Sequence, residues 1–299
     1  MVSPESLEYF EYSLENCLLC PRKCGVNRVK GERGYCGAGP EVMVSSITVH
    51  TGEEPPISGT AGSGTVFLTG CNMRCVYCQN YPISQMGHGN TIGGDDLASA
   101  MLKLQSRGAH NINLVTPVQH IAGVVRAIEI ARRRGLKLPL VYNTSGYECP
   151  ETISMLEGVV DVYLADMRYS DPVMAGRYSD APDYVHHNRI AVRRMFESAG
   201  LLEVDGGIAK RGLIIRHLIL PGGIAGTGRT FEFLSREVSP LVHVSLMCQY
   251  FPAGRALEIP EVSRRITPAE YREAVLLLER YGLENGWVQD MQGETGPVA

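Results

Sequence analysis

The chain has 299 residues, 44% of them apolar and 20% charged, with a formal net charge of −4. That composition excludes a disordered chain and supplies enough apolar surface for a substantial core, while a sequence pI near 6.1 gives no global field for nucleic acid or an anionic membrane. Nine cysteines, no run of 18 apolar residues and no basic, apolar leader after Met1-Val2-Ser3-Pro4 lead to the expectation of a cytoplasmic protein whose thiols serve metals rather than disulfides.

The first feature in chain order is Cys17-Leu18-Leu19-Cys20-Pro21-Arg22-Lys23-Cys24 followed by Cys36, a C-x2-C-x3-C-x11-C pattern. Four thiolates at this spacing can close a metal site, and Gly25, Gly31, Gly34 and Gly37 permit the positive φ turns that wrap one. Zinc and a second [4Fe-4S] cluster both suit four cysteines, so both readings stay open. Residues 1–58 are expected to form a small unit that needs its metal to fold.

Residues 59–299 are expected to form the main domain. The apolar run Gly64 to Thr69 reads as a strand and leads into Cys71-Asn72-Met73-Arg74-Cys75-Val76-Tyr77-Cys78. A [4Fe-4S] cluster has four irons, so a loop offering Cys71, Cys75 and Cys78 leaves one iron open for chemistry. A zinc knuckle would close with a fourth ligand at short spacing, whereas the next histidine, His88, stands ten residues on.

Beyond the loop, amphipathic stretches alternate with short apolar runs. Helical patterns fall at Asp95 to Arg107, Gln119 to Arg134, Pro150 to Leu156, His187 to Ser198 and Phe231 to Glu237; strand patterns fall at Asn111 to Val115, Pro139 to Asn143, Val159 to Ala165, Leu213 to Leu220 and Val242 to Met247. Such alternation predicts parallel pairing. A last helix, Thr267 to Tyr281, opens on Thr267-Pro268, stops before Gly282 and is expected to close the side of the barrel. The arginines at 132–134 and 193–194 read as solvated residues that complement helix C-termini. Cys149 and Cys248 stand alone and read as small buried apolar residues.

The C-x3-C-x2-C spacing with Tyr77 before the last cysteine resembles the radical S-adenosylmethionine superfamily. With Glu53-Glu54-Pro55-Pro56-Ile57-Ser58-Gly59, Gly62-Ser63-Gly64 and Cys78-Gln79-Asn80-Tyr81, the chain looks similar to the pyruvate formate-lyase activating enzyme-like group, from the N-terminal cysteines to about Tyr250. The resemblance implies an α/β fold, a partial (β/α)6 TIM-like barrel carrying the cysteine-rich N-terminal segment. It also implies S-adenosylmethionine chelating the open iron and a flavodoxin or ferredoxin as reductant.

The same resemblance nominates site residues. Tyr77 would contact the cofactor, and Thr116-Pro117 stands where the superfamily has a glycine-rich stretch that holds the cofactor amino group. Asn143, Thr144 and Ser145 are small polar groups at a strand end. Asp166 and Arg168 resemble a D-x-K motif, Arg216 resembles the arginine of R-x-x-x-P-G and is expected at the cofactor carboxylate, and Gln249 is a substrate candidate. His217, one position beyond Arg216, should face the other side of its strand as a structural histidine. Activating enzymes have histidine at position 79 and lysine at 168, so the leading expectation is radical chemistry on an unspecified small molecule or polypeptide. Glycyl-radical installation is the alternative, with a non-catalytic electron-transfer protein or a zinc-organised binding module as rivals of another class.

Overall fold

The computed structural model describes residues 2–291 and 295–297. Among them lies one sheet of strands β1 (Val42–His50), β2 (Ser63–Leu68), β3 (Asn90–Ile92), β4 (Ile112–Val115), β5 (Leu140–Thr144), β6 (Val162–Asp166), β7 (Glu203–Asp205), β8 (Ile208–Leu218), β9 (His243–Met247), β10 (Gly286–Gln289) and β11 (Thr295–Pro297). The order across the sheet is β11-β10-β9-β8-β6-β5-β4-β2-β1-β3, with β7 paired to β8 off this path. Strands β2, β4, β5, β6, β8, β9 and β10 pair in parallel, and β1, β3, β7 and β11 add antiparallel edges. This is a partial TIM-like α/β barrel.

The six expected parallel strands are present in the expected order. β8 begins five residues earlier than its apolar run because Gly206 and Gly207, both at positive φ, turn the chain back from β7. The last helix, Pro268–Arg280, is set by a full capping box between Thr267 and Glu270. It carries the chain across from β9 to a seventh parallel strand, β10, which the apolar runs did not announce. That pairing depends on Gly286, at φ +126°, where a Cβ would stand 2.0 Å from the Val244 carbonyl oxygen.

Helices on the outer face bury one stripe each. In Ile121–Arg133 the buried positions are Ile121, Ala122, Val124, Val125, Ala127, Ile128 and Ala131, while Arg132 and Arg133 close the last turn. No helix among the described residues is long and apolar enough to cross a membrane.

Every residue of β5 and β6 is buried, as expected of parallel strands covered on both faces. Alternation then sorts side chains between two cores. Val66, Leu114, Tyr142, Tyr163, Leu213 and Ile215 pack outward under the helices. Val141, Val162, Leu164 and Ile214 point into the barrel and meet Ile57, which the Pro55–Ser58 turn inserts from one side. Asn111 anchors that turn by donating to the Ile57 carbonyl oxygen at 2.7 Å. The inward positions one step farther along each strand, toward its C-terminal end, are those that build the site.

Candidate active site

Phe67, Val115, Asn143, Asp166, Arg216, Leu218 and Met247 are the inward residues at the C-terminal ends of β2, β4, β5, β6, β8 and β9, and together they line a cavity of about 410 Å³. That volume suits a small-molecule site, and its place is the end of the barrel where such sites are built. The remaining walls come from His50 at the end of β1, from Gly52 and Glu53 after it, from Tyr77, Cys78, Gln79 and Asn80 of the cysteine loop, from Arg168 after β6, and from Gln249 and Tyr250.

Parallel register places Asp166 beside Arg216. Arg216 donates from Nε to Asp166 Oδ1 at 2.8 Å, from Nη2 to Asn143 Oδ1 at 2.6 Å and from Nη1 to Glu53 Oε2 at 3.4 Å. Arg168 donates to the other Asp166 oxygen, Oδ2, at 2.6 and 3.1 Å, and its Nη1 reaches Cys75 Sγ at 3.1 Å. Burial alone would raise the Asp166 carboxyl, but the Arg216 and Arg168 guanidiniums outweigh it and hold the pKa below the usual carboxylate range. Burial works against both guanidiniums, and the surrounding anions reverse it: Asp166 with Glu54 and Glu53 for Arg216, Cys75 with Asp166 for Arg168. Glu54, behind Glu53, is buried with Oε2 unpartnered, and burial raises its carboxyl.

The cysteine loop is pinned from several sides. Arg74 N donates to Ser179 O, Val76 N to Tyr178 O, and Gln85 Nε2 to Cys75 O at 3.0 Å. Around the sulfurs, Ser179 Oγ donates to Cys75 Sγ at 3.0 Å, Met73 N to Cys71 Sγ at 3.4 Å, and Ser84 Oγ sits 3.2 Å from Cys78 Sγ. Ser179 also bonds the Tyr169 hydroxyl, which bonds that of Tyr77 at 2.6 Å. Burial pushes the Cys71 thiol up to about 12 and raises Cys78 as well. Thiols in this state need a metal to take their protons.

The donor set fits a thiolate-bound cluster. Cationic and hydroxyl donors surround the three sulfurs, and Cys78 opens onto the cavity. Among the described residues no three His, Cys, Asp or Glu side chains are arranged to share a single metal ion, the geometry a zinc site uses with bonds of about 2.3 Å; a cubane gives each thiolate its own iron.

The cavity gathers Tyr77, Asn143, Asp166, Arg168, Arg216 and Gln249 with Cys78, as nominated from the sequence. Tyr77 contributes to the wall, but its ring packs edge-on against Tyr250 and its hydroxyl is taken by Tyr169. Arg216 has three of its five N–H donors engaged by protein acceptors, which leaves two for a ligand. Thr116 lies at φ +54° just after β4 with its side chain outside the cavity wall, its N–H bonded to Asn143 O and its carbonyl to Gln119. Thr144 and Ser145 serve the turn after β5, bonding Glu148 and Tyr184. His217 is fully buried between Met167 O and Thr227 Oγ1, the satisfied structural histidine expected, and burial lowers it to about 4. Glu53, His50, Phe67, Leu218 and Met247 were not nominated for the site from the sequence. Period-two alternation from Asn143 and Asp166 would have found the strand residues; Glu53 entered only as part of the Glu53 to Gly59 stretch that carries the resemblance, with no site role read from it.

The N-terminal cysteines lie behind the loop rather than in the cavity. Arg22 donates to Asn72 O at 3.0 Å, Arg74 to Tyr35 O at 2.6 Å, and the two arginines flank the Tyr35 ring. Cys149 and Cys248 are buried, as expected.

No family model matches the chain. Of solved structures, a histidine-tagged anSMEcpe with bound AdoMet is similar at a TM-score of 0.50 and 11% identity, over 79% of this chain and 60% of that one. HydG, a maturase of the [FeFe]-hydrogenase, gives a TM-score of 0.49 at 12% identity over 73% of this chain and 49% of that one. The chain thus spans half to three fifths of these solved chains, and the likeness is one of fold. Among curated proteins, the uncharacterized protein MJ0808 of Methanocaldococcus jannaschii is 32% identical over 82 residues, 23% of this chain and 24% of that protein. The uncharacterized protein MJ0674 of the same organism is 30% identical over 282 residues, 90% of this chain and 76% of that protein, and the chain belongs to its family.

Proposed function

We propose that this protein is a radical S-adenosylmethionine enzyme whose [4Fe-4S] cluster is held by Cys71, Cys75 and Cys78. The observation that carries the reading is the opening of a three-cysteine loop onto a polar cavity at the C-terminal ends of parallel strands, in a fold shared with a protein solved with bound AdoMet. The chemistry supplied when cluster and cofactor are bound is one-electron reductive cleavage of the sulfonium to methionine and a 5′-deoxyadenosyl radical, which abstracts hydrogen from the substrate.

The chain's own residues hold and insulate that reaction. Arg168 and Ser179 donate to Cys75 Sγ and so fix the position of that sulfur. Asn143, Gln249 and the free donors of Arg216 offer hydrogen bonds to a zwitterionic ligand, and Asp166 fixes both guanidiniums so that they need no reordering on binding. Phe67, Leu218, Met247 and Tyr250 give the cavity an apolar side that excludes water. A flavodoxin- or ferredoxin-type donor supplies the electron, and the cytoplasm is the compartment that keeps the thiols reduced. The substrate is a small molecule or polypeptide, and Gln79, in the cavity wall where activating enzymes carry histidine, disfavours glycyl-radical installation.

The test is anaerobic incubation of iron-loaded protein with dithionite and S-adenosylmethionine, with 5′-deoxyadenosine and methionine quantified. Both products should form with wild type and with Asp95→Asn on the helix surface, and neither with Cys75→Ala. Iron-loaded wild type that neither binds nor cleaves the cofactor would overturn the proposal.

A further inference from the structure

Among the described residues, Arg28 is a buried cation with no carboxylate partner. It is 2% exposed. Its Nη1 donates to the Gln119 carbonyl oxygen, its Nη2 donates to Cys17 Sγ at 2.9 Å and leans toward Cys36 Sγ at 3.9 Å, and its Nε has no partner. Every ion pair among the described residues involves some other cation. A guanidinium stays protonated under all physiological conditions, and a buried charge is costly unless an opposite one stands beside it. The neighbours in a position to supply that charge are cysteine sulfurs, which do so only as thiolates.

The surrounding loops bring Cys17 and Cys36 against this cation, with Cys20 and Cys24 near Cys36. Cys17 is tied to the far side of its loop by Gly25 N to Cys17 O at 3.0 Å and Cys17 N to Val26 O at 3.2 Å. Cys24 packs on Gly34, where a Cβ would stand 2.9 Å from the sulfur, and Cys24 Sγ accepts from Tyr35 N, next to Cys36, at 3.5 Å. Cys36 lies within electrostatic reach of Cys17, Cys20 and Cys24.

We propose that Cys17, Cys20, Cys24 and Cys36 form an anionic metal–tetrathiolate centre whose buried counter-cation is Arg28. These four side chains are not arranged to share one ion, so the occupant that fits is a [4Fe-4S] cluster, in which each thiolate takes its own iron and whose net negative charge neutralises the guanidinium. The centre seats against the back of the three-cysteine loop. The Cys36 carbonyl oxygen packs onto Gly70, whose φ of +73° and missing Cβ leave the space it fills; an added Cβ would come within 2.7 Å. Metal at the N-terminal centre therefore orders the segment that backs Cys71. This centre is independent of the catalytic reading, because it uses a different set of thiols.

The experiment uses the full chain with Cys71→Ala, Cys75→Ala and Cys78→Ala combined, which removes the catalytic thiols and leaves the N-terminal four. Iron, zinc and acid-labile sulfide are measured on anaerobically purified protein. The folded triple variant should retain about four irons with acid-labile sulfide, and about one zinc without sulfide would overturn the cluster. Adding Cys36→Ser should abolish that metal. Adding Arg28→Met should weaken retention against a chelator by about 10- to 100-fold, while Arg28→Lys, which keeps the charge, should lose less. A folded triple variant without metal would overturn the centre. Retention in Arg28→Met equal to the parent's, or, if that protein does not fold, in Arg28→Lys no better than in Cys36→Ser, would overturn the role of the cation.

Discussion

Asp166→Asn removes the one negative charge shared by two buried guanidiniums. Asp166 Oδ2 lies 2.6 Å from Arg168 Nη2 and Oδ1 lies 2.8 Å from Arg216 Nε, with side-chain exposures of 10%, 27% and 17% for the aspartate and the two arginines. At an effective dielectric near 20, each charge pair at about 4 Å is worth about 4 kcal/mol before desolvation, and most of that gross attraction offsets the cost of burying the ions. Deleting one partner leaves the desolvation uncompensated, and such deletions typically cost about 3–5 kcal/mol. Arg216 retains Glu53 and Asn143 and Arg168 retains Cys75, so the expected loss sits at the low end, about 3 kcal/mol. For a domain of this size that lowers Tm by about 6–12 °C. Calorimetry at neutral pH reads it directly, with Asp95→Asn as control because the Arg134–Asp95 pair is exposed and worth about 1 kcal/mol or less. Because the folded pKa of Asp166 is depressed, its stabilisation is present above the unfolded value and disappears as pH falls through the folded one, so the two proteins should converge in acid. A loss below about 1 kcal/mol, or one no larger than the control's, would refute the reasoning that Asp166 holds the two arginines in place.

Three further outcomes follow from other parts of the structure. Glu148 is fully buried and burial raises it to about 8 from an ordinary 4.5, so the folded state keeps a proton that the unfolded chain releases. The Glu148 contribution to stability should be greatest below about pH 4.5 and fall as pH rises toward about 8, by up to about 1.4 kcal/mol per unit; the difference between wild type and Glu148→Gln should follow that decline, and parallel curves for the two proteins would count against it. Gly70→Ala should cost about 1–3 kcal/mol and increase amide exchange at both residues 34–37 and 70–72, whereas unchanged exchange would show that the two segments do not depend on each other. Tyr77→Phe removes one buried hydrogen bond and should cost about 1 kcal/mol; a neutral result in thermal unfolding would mean that the Tyr77–Tyr169 contact contributes nothing.

The barrel strands were legible because parallel strands covered on both faces read as apolar runs between amphipathic helices, and β5 and β6 are buried along their whole length. β1 was not, since it alternates partly exposed Ser45, Ser46 and Thr48 with its apolar residues and carries an irregularity between Val44 and Ser46. β10 spans four residues after a helix and depends on one glycine against Val244, which no local pattern announces. In the site, Cys71, Cys75 and Cys78 advertise themselves by spacing, and Asp166 and Arg168 by charge at a buried strand end. Their pairing is not legible: Arg168 meets Cys75 across 93 residues and Arg216 meets Glu53 across 163. Thr116 was nominated from its place after a strand, yet the backbone reverses there at positive φ and its side chain stays out of the cavity wall. Arg28 carries no local pattern, and its burial beside two sulfurs sets it apart.

The central claim is an iron–sulfur cluster with a coordination position open to S-adenosylmethionine, and electron paramagnetic resonance of the anaerobically reconstituted, reduced protein tests it most directly. Spectra would be recorded with and without the cofactor, in wild type and in Cys75→Ala. The predicted result is a reduced-cluster signal in wild type that shifts on adding S-adenosylmethionine, with the shift lost in Cys75→Ala. A wild-type iron signal indifferent to the cofactor, or folded protein that takes up no iron at Cys71, Cys75 and Cys78, would contradict it.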